Sequence, residues 1–191
     1  MCPSGATCNA KLELVFLVDG SGSIEGYGRG NFKRCLNFVK QVGRAFTISP
    51  DKTRMAVILF SSRAKTIFSL DTYSDFGSVA RAVSSIRYPR RGTYLGKALR
   101  LAQNDVLRKA RKGVPKVLIV MTDGRSADKV EAHAQRLKAT GVTIFAFGIG
   151  KRYNRRQLMR MATDRKHMIT RDFRAMSRAI KPLAQDVCSG K

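Results

Sequence analysis

A chain of 191 residues with 43% hydrophobic side chains suits one domain with a sizeable core. Its apolar residues fall in short runs, none near the ~20 residues of a bilayer-spanning helix, and the opening Met1-Cys2-Pro3-Ser4-Gly5 lacks the apolar stretch of a signal peptide. Lys and Arg number 37 against 13 Asp and Glu, a net charge of +24, which attracts polyanions without choosing among nucleic acid, sulfated polysaccharide, acidic matrix protein, acidic membrane and mineral.

In chain order, residues 12–18 form an apolar run that ends in Asp19-Gly20-Ser21-Gly22-Ser23, a buried strand followed by a loop. Glycine is dense from Gly20 to Gly30. Phe32, Cys35, Leu36, Val39, Val42 and Phe46 then recur at helical spacing, which puts Cys35 on a core-facing stripe as a buried free thiol. Residues 55–60 and 66–68 read as strands, and 74–86 and 94–110 as helices. Residues 116–121 form a strand that ends in Thr122-Asp123-Gly124. A helix over 127–139 stops at Gly141, where a C-cap glycine belongs. Residues 142–147 are a strand, 155–162 a short helix and 167–169 a short strand opened by His167. The last helix runs from about 172 to 187, with Phe173, Met176, Ile180, Leu183 and Val187 as its apolar stripe. Alternating helices and strands apolar on both faces predict a mainly parallel α/β sheet covered by helices. With no repeat, low-complexity tract or linker, the expectation is a single domain over 1–191 with its core at about 8–188.

The four cysteines are Cys2, Cys8, Cys35 and Cys188. Cysteines at both ends of a compact domain point to a disulfide and an oxidising compartment. Unrelated thiols in a cytosolic protein are the plainer alternative, and the residues alone leave the pairing open. No two cysteines have the CxxC spacing of a metal cluster.

Ligands of open parallel sheets bind at the carboxyl ends of the strands, where strand order reverses. Three polar clusters fall in loops that meet there: Asp19-Gly20-Ser21-Gly22-Ser23, Gly92-Thr93-Tyr94-Leu95-Gly96 and Thr122-Asp123-Gly124. One such cluster alone would be read as a cap or a turn. Three together offer oxygen ligands and neither sulfur nor imidazole, a donor set for magnesium, calcium or manganese. A metal hydrolase needs a general base beside its activated water. Glu25 is the nearest candidate and is expected to face solvent, while His133 and His167 read as structural histidines. There is no Gly-x-Ser-x-Gly elbow and no Walker loop. The chain therefore reads as a binding module and not an enzyme.

Asp19-x-Ser21-x-Ser23, Thr93 within Gly-Thr-x-x-Gly, and Asp123 within Thr-Asp-Gly together resemble the five-residue metal-ion-dependent adhesion site of von Willebrand factor A domains. The neighbouring words Phe16-Leu17-Val18-Asp19, Gly96-Lys97-Ala98-Leu99 and Phe147-Gly148-Ile149-Gly150 are similar too. The likeness covers nearly the whole chain and is nearest to secreted matrix A domains such as those of matrilins, non-fibrillar collagens and mussel byssal-thread or shell matrix proteins. It implies a Rossmann-like, doubly wound fold with a divalent ion, Mg2+ first and Mn2+ or Ca2+ next, at its upper edge. Asp19, Ser21, Ser23, Thr93 and Asp123 would hold the ion, and a ligand carboxylate would complete its shell. The resemblance also implies a disulfide between Cys8 and Cys188 that holds the last helix, unlike integrin A domains, where that helix slides. Cys2 is left for a link to a neighbouring domain or chain, or for a homo-oligomer.

Arg171, Arg174, Arg178 and Lys181 fall at helical spacing opposite the last apolar stripe, which makes a solvated basic face. Arg90, Arg91 and Arg125 flank the metal loops as a basic rim that favours anionic ligands. The leading expectation is a secreted extracellular-matrix module that grips collagen or another acidic matrix protein. A biomineral or fibre matrix protein that takes acidic polysaccharide or mineral by its basic surface is the second, and an intracellular chelatase-type A domain the third. No recognition helix or zinc finger suggests specific nucleic-acid reading.

Overall fold

The computed structural model describes residues 7–190. Its centre is β1, Leu12–Asp19, buried along its whole length. Successive side chains of a strand point to opposite faces. Leu12, Leu14, Phe16 and Val18 accordingly enter one apolar cluster, and Val15 and Leu17 the other. A strand apolar on both faces must sit inside a sheet covered on both sides.

The other strands are β2 (Thr53–Phe60), β3 (Ala64–Phe68), β4 (Lys116–Thr122), β5 (Val142–Ile149) and β6 (Met168–Arg171). The sheet order is β3-β2-β1-β4-β5-β6. All neighbours run parallel except β2 and β3, which form an antiparallel hairpin at one edge. The helices are α1 (Ser23–Gly26), α2 (Asn31–Arg44), α3 (Phe76–Ser84), α4 (Leu95–Leu101), α5 (Glu131–Ala139), α6 (Arg155–Met161) and α7 (Ile180–Ser189). Apolar residues of α2, α3 and α7 pack on one face of the sheet, and those of α4, α5 and α6 on the other. This is the expected α/β, Rossmann-like, doubly wound arrangement. The chain order reverses direction across the sheet at β1, so the carboxyl ends of β1 and β4 form the crevice where such folds hold ligands.

Three helices depart from their sequence-based bounds. The expected helix over 94–110 is regular only to Leu101. It widens into a π turn over Ala102–Val106 and tightens over Leu107–Lys109, and Asp105 accepts a hydrogen bond from the Thr66 hydroxyl of β3 at 2.8 Å. The expected helix over 127–139 starts at Glu131, because Asp128 is drawn away to accept the N–H groups of Gly96 and Lys97 at the start of α4. The expected helix over 172–187 is broken. A 3-10 turn covers Met176–Ala179, and α7 begins at Ile180. Pro182 supplies the reason: it has no N–H to give to the carbonyl of Arg178, so an uninterrupted helix there would lose a bond and meet a clash. Gly141 has the left-handed φ of 79° that a helix stop requires, and its N–H bonds the Lys138 carbonyl.

Two fastenings lie far from the carboxyl ends. Glu13 of β1 is fully buried and takes the Arg111 Nε–H at 2.6 Å, while the same guanidinium donates to the carbonyls of Leu12, Pro50 and Lys52. Cys8 is disulfide-bonded to Cys188 of α7. Its backbone also pairs with the segment after α2 through Ala45 and Thr47. The bridge therefore ties α7 to α2 and the entry of β1. Cys35 is a buried free thiol, and burial pushes its pKa up, as expected for an inert core cysteine. Cys2 lies outside the described residues.

Candidate metal centre

β1 delivers Asp19 to the carboxyl edge of the sheet, and the chain then turns tightly through Gly20 to Gly22. Asp19 Oδ1 accepts the Ser21 N–H at 2.8 Å, and Asp19 Oδ2 accepts the Thr122 hydroxyl at 2.7 Å. β4, the parallel neighbour of β1, delivers Asp123 beside them. The Ser21 and Ser23 hydroxyl oxygens are 3.0 Å apart. Ser23 Oγ donates to Asp123 Oδ1 at 2.9 Å, and Ser21 Oγ approaches the same oxygen at 3.5 Å. Four of the five expected ligands are thus one hydrogen-bonded cluster.

Thr93, the fifth, is half-buried and forms no side-chain hydrogen bond among the described residues. Its loop is wedged between the other two. Gly22 N–H donates to the Arg91 carbonyl at 2.8 Å on one side, and Ala127 N–H donates to the Thr93 carbonyl at 2.9 Å on the other. Gly96 permits this closeness, since a Cβ there would collide with the Lys129 carbonyl and the Asp128 carboxylate. The second glycine of Gly-Thr-x-x-Gly is therefore a packing requirement.

The electrostatics of the cluster are unfavourable without a cation. Asp19 and Asp123 are both buried. Burial raises the pKa of Asp19, only partly opposed by its bonds from Ser21 and Thr122. Burial, and then the charge of Asp19, push Asp123 up to about 6. Asp123 Oδ2 is buried with no hydrogen-bond partner among the described residues. A carboxylate oxygen buried alone beside a second carboxylate is costly. A divalent ion among two carboxylates and three hydroxyls would remove both penalties, so the donor set fits such an ion. Among the described residues no three of His, Cys, Asp and Glu gather elsewhere as a rival site.

Several residues of the site were not legible as parts of it. Thr122 orients Asp19, and Asp128 together with Ser126 caps α4, the helix that follows Thr93. The Tyr88 hydroxyl donates to the Ser21 carbonyl at 2.6 Å, and its ring stacks on Phe32 with centroids 4.7 Å apart. Thr122 stood within the Thr-Asp-Gly word, but neither Tyr88 nor Asp128 carries a local signal.

Other expected residues fall as follows. Arg90, Arg91 and Arg125 are all exposed on the loops of the candidate site. Arg90 has a left-handed φ of 58°, the one such non-glycine among the described residues, and its guanidinium lies 5.3 Å from the Tyr88 ring centroid. Arg171, Arg174, Arg178 and Lys181 are exposed but do not form a stripe on one helix. Arg171 ends β6, Arg174 lies in the following turn, Arg178 in the 3-10 turn and Lys181 in α7. Glu25 does not simply face solvent: its carboxylate accepts the N–H groups of Gly30 and Phe32 at 2.7 and 2.8 Å and caps α2. His167 closes a 3-10 turn ahead of β6, with Nδ1 2.7 Å from the Asp164 carboxylate. His133 is on α5, half-buried, with no hydrogen-bond partner at its Nδ1 among the described residues.

A parallel sheet with a hydroxyl-and-carboxylate cluster at its reversal point defines a class of binding domain. The chain belongs to the von Willebrand factor type A domain family, whose model matches residues 13–181. It is 35% identical over 167 residues to von Willebrand factor A domain-containing protein 2 of Xenopus laevis, covering 85% of this chain and 21% of that protein. It is 33% identical over 186 residues to matrilin-4 of Mus musculus, covering 93% of this chain and 29% of that protein. The chain thus spans less than a third of the length of these two relatives. Among solved structures it is similar to proximal thread matrix protein 1 of the mussel byssus, with a TM-score of 0.90 and 26% identity over 96% of this chain and 47% of that one. Another structure of the byssal protein has its MIDAS motif occupied by zinc, with a TM-score of 0.89 and 28% identity to this chain. The relatives include proteins with matrix names, and this chain is a von Willebrand factor type A module of the kind they contain.

Proposed function

We propose that the chain is a secreted adhesion module of an extracellular matrix protein that grips an acidic ligand through one divalent ion. Asp19, Ser21, Ser23, Thr93 and Asp123 would hold the ion. The observation that carries this reading is the buried, unpartnered Oδ2 of Asp123 beside the Ser21 and Ser23 hydroxyls. Two carboxylates and neutral hydroxyls leave a dication much of its charge, so when bound it supplies an electropositive centre for an anionic ligand oxygen. Asp19, pinned by Ser21 and Thr122, keeps the first loop in register with Asp123. Tyr88 holds the Ser21 backbone from behind, and Thr93 closes the third side. An all-oxygen donor set favours Mg2+, with Mn2+ and Ca2+ as substitutes.

The matrix names of the relatives support collagen or another acidic matrix protein as the ligand class. The net charge of +24 and the exposed arginines Arg90, Arg91 and Arg125 support a second, diffuse attraction to polyanions. Arg171, Arg174, Arg178 and Lys181 add to it as scattered surface charge. The likeness to a byssal-thread protein favours a second reading, a fibre or biomineral matrix protein that takes acidic polysaccharide or mineral mainly by its basic surface.

Collagen binding measured with Mg2+, with EDTA and with Asp19→Ala separates these readings. Binding that needs both the metal and Asp19 is the expected result. Binding that survives EDTA and disappears at high salt would transfer the function to the basic surface.

A further inference from the structure

The hairpin of β2 and β3 separates two hollows at the sheet edge. One, of about 380 Å³, is lined by Arg63, Lys65 and Arg91 over a floor of Leu59 and Pro89. The other, of about 350 Å³, is lined by Arg63, Lys97, Arg100 and Asn104. Arg63 stands in the hairpin turn and serves both. Among the described residues no carboxylate lines either hollow. The ion pairs among the described residues are Lys109–Asp71, Arg111–Glu13, Arg160–Glu131 and His167–Asp164, so none uses these five cations. The nearby acids are engaged elsewhere: Asp105 accepts the Thr66 hydroxyl, and Asp128 caps α4.

The five cations are exposed, yet the ground beneath them is rigid. Ser62 Oγ accepts the Gly92 N–H at 3.0 Å, and the Ser61 carbonyl accepts the Tyr94 N–H at 3.0 Å. Lys97 Nζ is held by the Ser62 carbonyl at 3.0 Å and lies 4.2 Å from the Tyr94 ring centroid. The hairpin is therefore stitched to the loop that carries Thr93. Two adjacent basic concavities that share a central arginine match a linear chain bearing anionic groups at intervals.

We propose that these hollows form a binding site for a sulfated polysaccharide, with Arg63 between two successive sulfate groups and Lys65, Arg91, Lys97 and Arg100 around them. This deepens the polyanion half of the function proposed above and rests on it. Guanidinium forks suit the paired oxygens of a sulfate. Among the described residues no aromatic side chain lines either hollow, so these offer neither the stacking platform of single-stranded nucleic acid nor the aromatic anchors on which protein interfaces concentrate their affinity. The site uses none of the metal ligands, so it works without the ion.

The test is elution of the full chain from immobilised heparin along a salt gradient in EDTA. The triple variant Arg63→Ser, Lys65→Ser, Arg100→Ser is compared with Arg171→Ser, Arg174→Ser, Arg178→Ser, which removes the same charge elsewhere. Melting curves establish that both are folded. The hairpin variant is expected to bind at least tenfold more weakly and elute at clearly lower salt, with the control close to the parent. Equal losses in the two variants would overturn the localised site and leave the diffuse polyanion reading standing. A parent chain that does not bind heparin would overturn both. Single-stranded DNA that competes as well as free heparin, with the same dependence on the hairpin residues, would overturn the assignment to a sulfated sugar.

Discussion

The Tyr88 hydroxyl donates to the Ser21 carbonyl at 2.6 Å and accepts the Glu25 N–H at 3.3 Å, so one side chain spans both ends of the first loop of the candidate site. Its ring is fixed by the stack on Phe32 and by Arg90 on the rim. Tyr88→Phe keeps the ring and removes the clamp. Divalent-ion affinity by calorimetry is expected to fall on the order of fivefold to tenfold, equivalent to about 1 kcal/mol for one such bond. Unchanged affinity would show that the loop holds its shape without Tyr88.

Asp123→Asn removes a buried like charge while nearly preserving shape. The metal-free protein is expected to gain stability on the order of 1 kcal/mol at neutral pH, since the raised pKa of Asp123 marks a carboxylate the fold tolerates poorly. Mg2+ is expected to raise the Tm of the parent and not that of the variant. Thermal melts of both proteins with Mg2+ and EDTA check both signs, and a less stable metal-free variant would refute the account.

The pH dependence has a definite sign. Asp123 has its folded pKa raised from 3.8 to about 6. The metal-free fold therefore binds more protons than the unfolded chain in this window, and Asp123 contributes stability as pH falls through it. A proton on Asp123 would compete with a bound ion, so metal affinity is expected to fall over the same range. Asp75 and Asp164 act in the opposite direction. The Ser78 bonds hold Asp75 below its ordinary value, and the His167 bond does so for Asp164. Their contributions are present above the unfolded carboxylate pKa and are lost as pH falls through the lowered folded values. Metal titrations at pH 7.5 and at about pH 5 test the first part, with weaker binding expected at the lower pH.

The Cys8–Cys188 bridge closes a loop with a sequence separation of 180 residues. Its replacement by paired serines is expected to cost up to roughly 5 kcal/mol on the chain-entropy account and to loosen α7 first. With the bridge intact, α7 is expected to stay in place on metal or ligand binding, which makes the module a constitutive binder. Hydrogen exchange of α7 with and without Mg2+ measures this; a large change in protection in the bridged protein would contradict it.

Glu13→Ala would leave the Arg111 guanidinium at the end of β1 without its buried counter-charge. Loss of one partner from a buried pair costs about 3–5 kcal/mol. Denaturant unfolding is expected to show a loss of that order with metal affinity unaltered, since the pair lies at the opposite end of β1 from Asp19.

The sheet and the candidate cluster were legible because their signals are local. An apolar run buried on both faces reads as an interior strand wherever it falls, and Asp19, Ser21 and Ser23 are neighbours in one loop. Thr93 and Asp123 were legible through short words with recognisable glycines. Helix bounds were less so where distant groups intervened. Asp128 left its own helix to cap α4, and the basic residues from Arg171 to Lys181 are divided among β6, two turns and α7.

By itself the sequence determined the alternation of strands and helices, the charge and the oxygen-only chemistry of the site, because each follows from residue type and spacing. Tertiary structure alone decided that Asp123 is left with an unpartnered buried oxygen, that Tyr88 and Thr122 brace the first loop, and that five cations meet around the β2–β3 hairpin. Those relationships join residues far apart in the chain, and only the packing of a parallel sheet, which brings the carboxyl ends of its strands to one edge, sets them side by side.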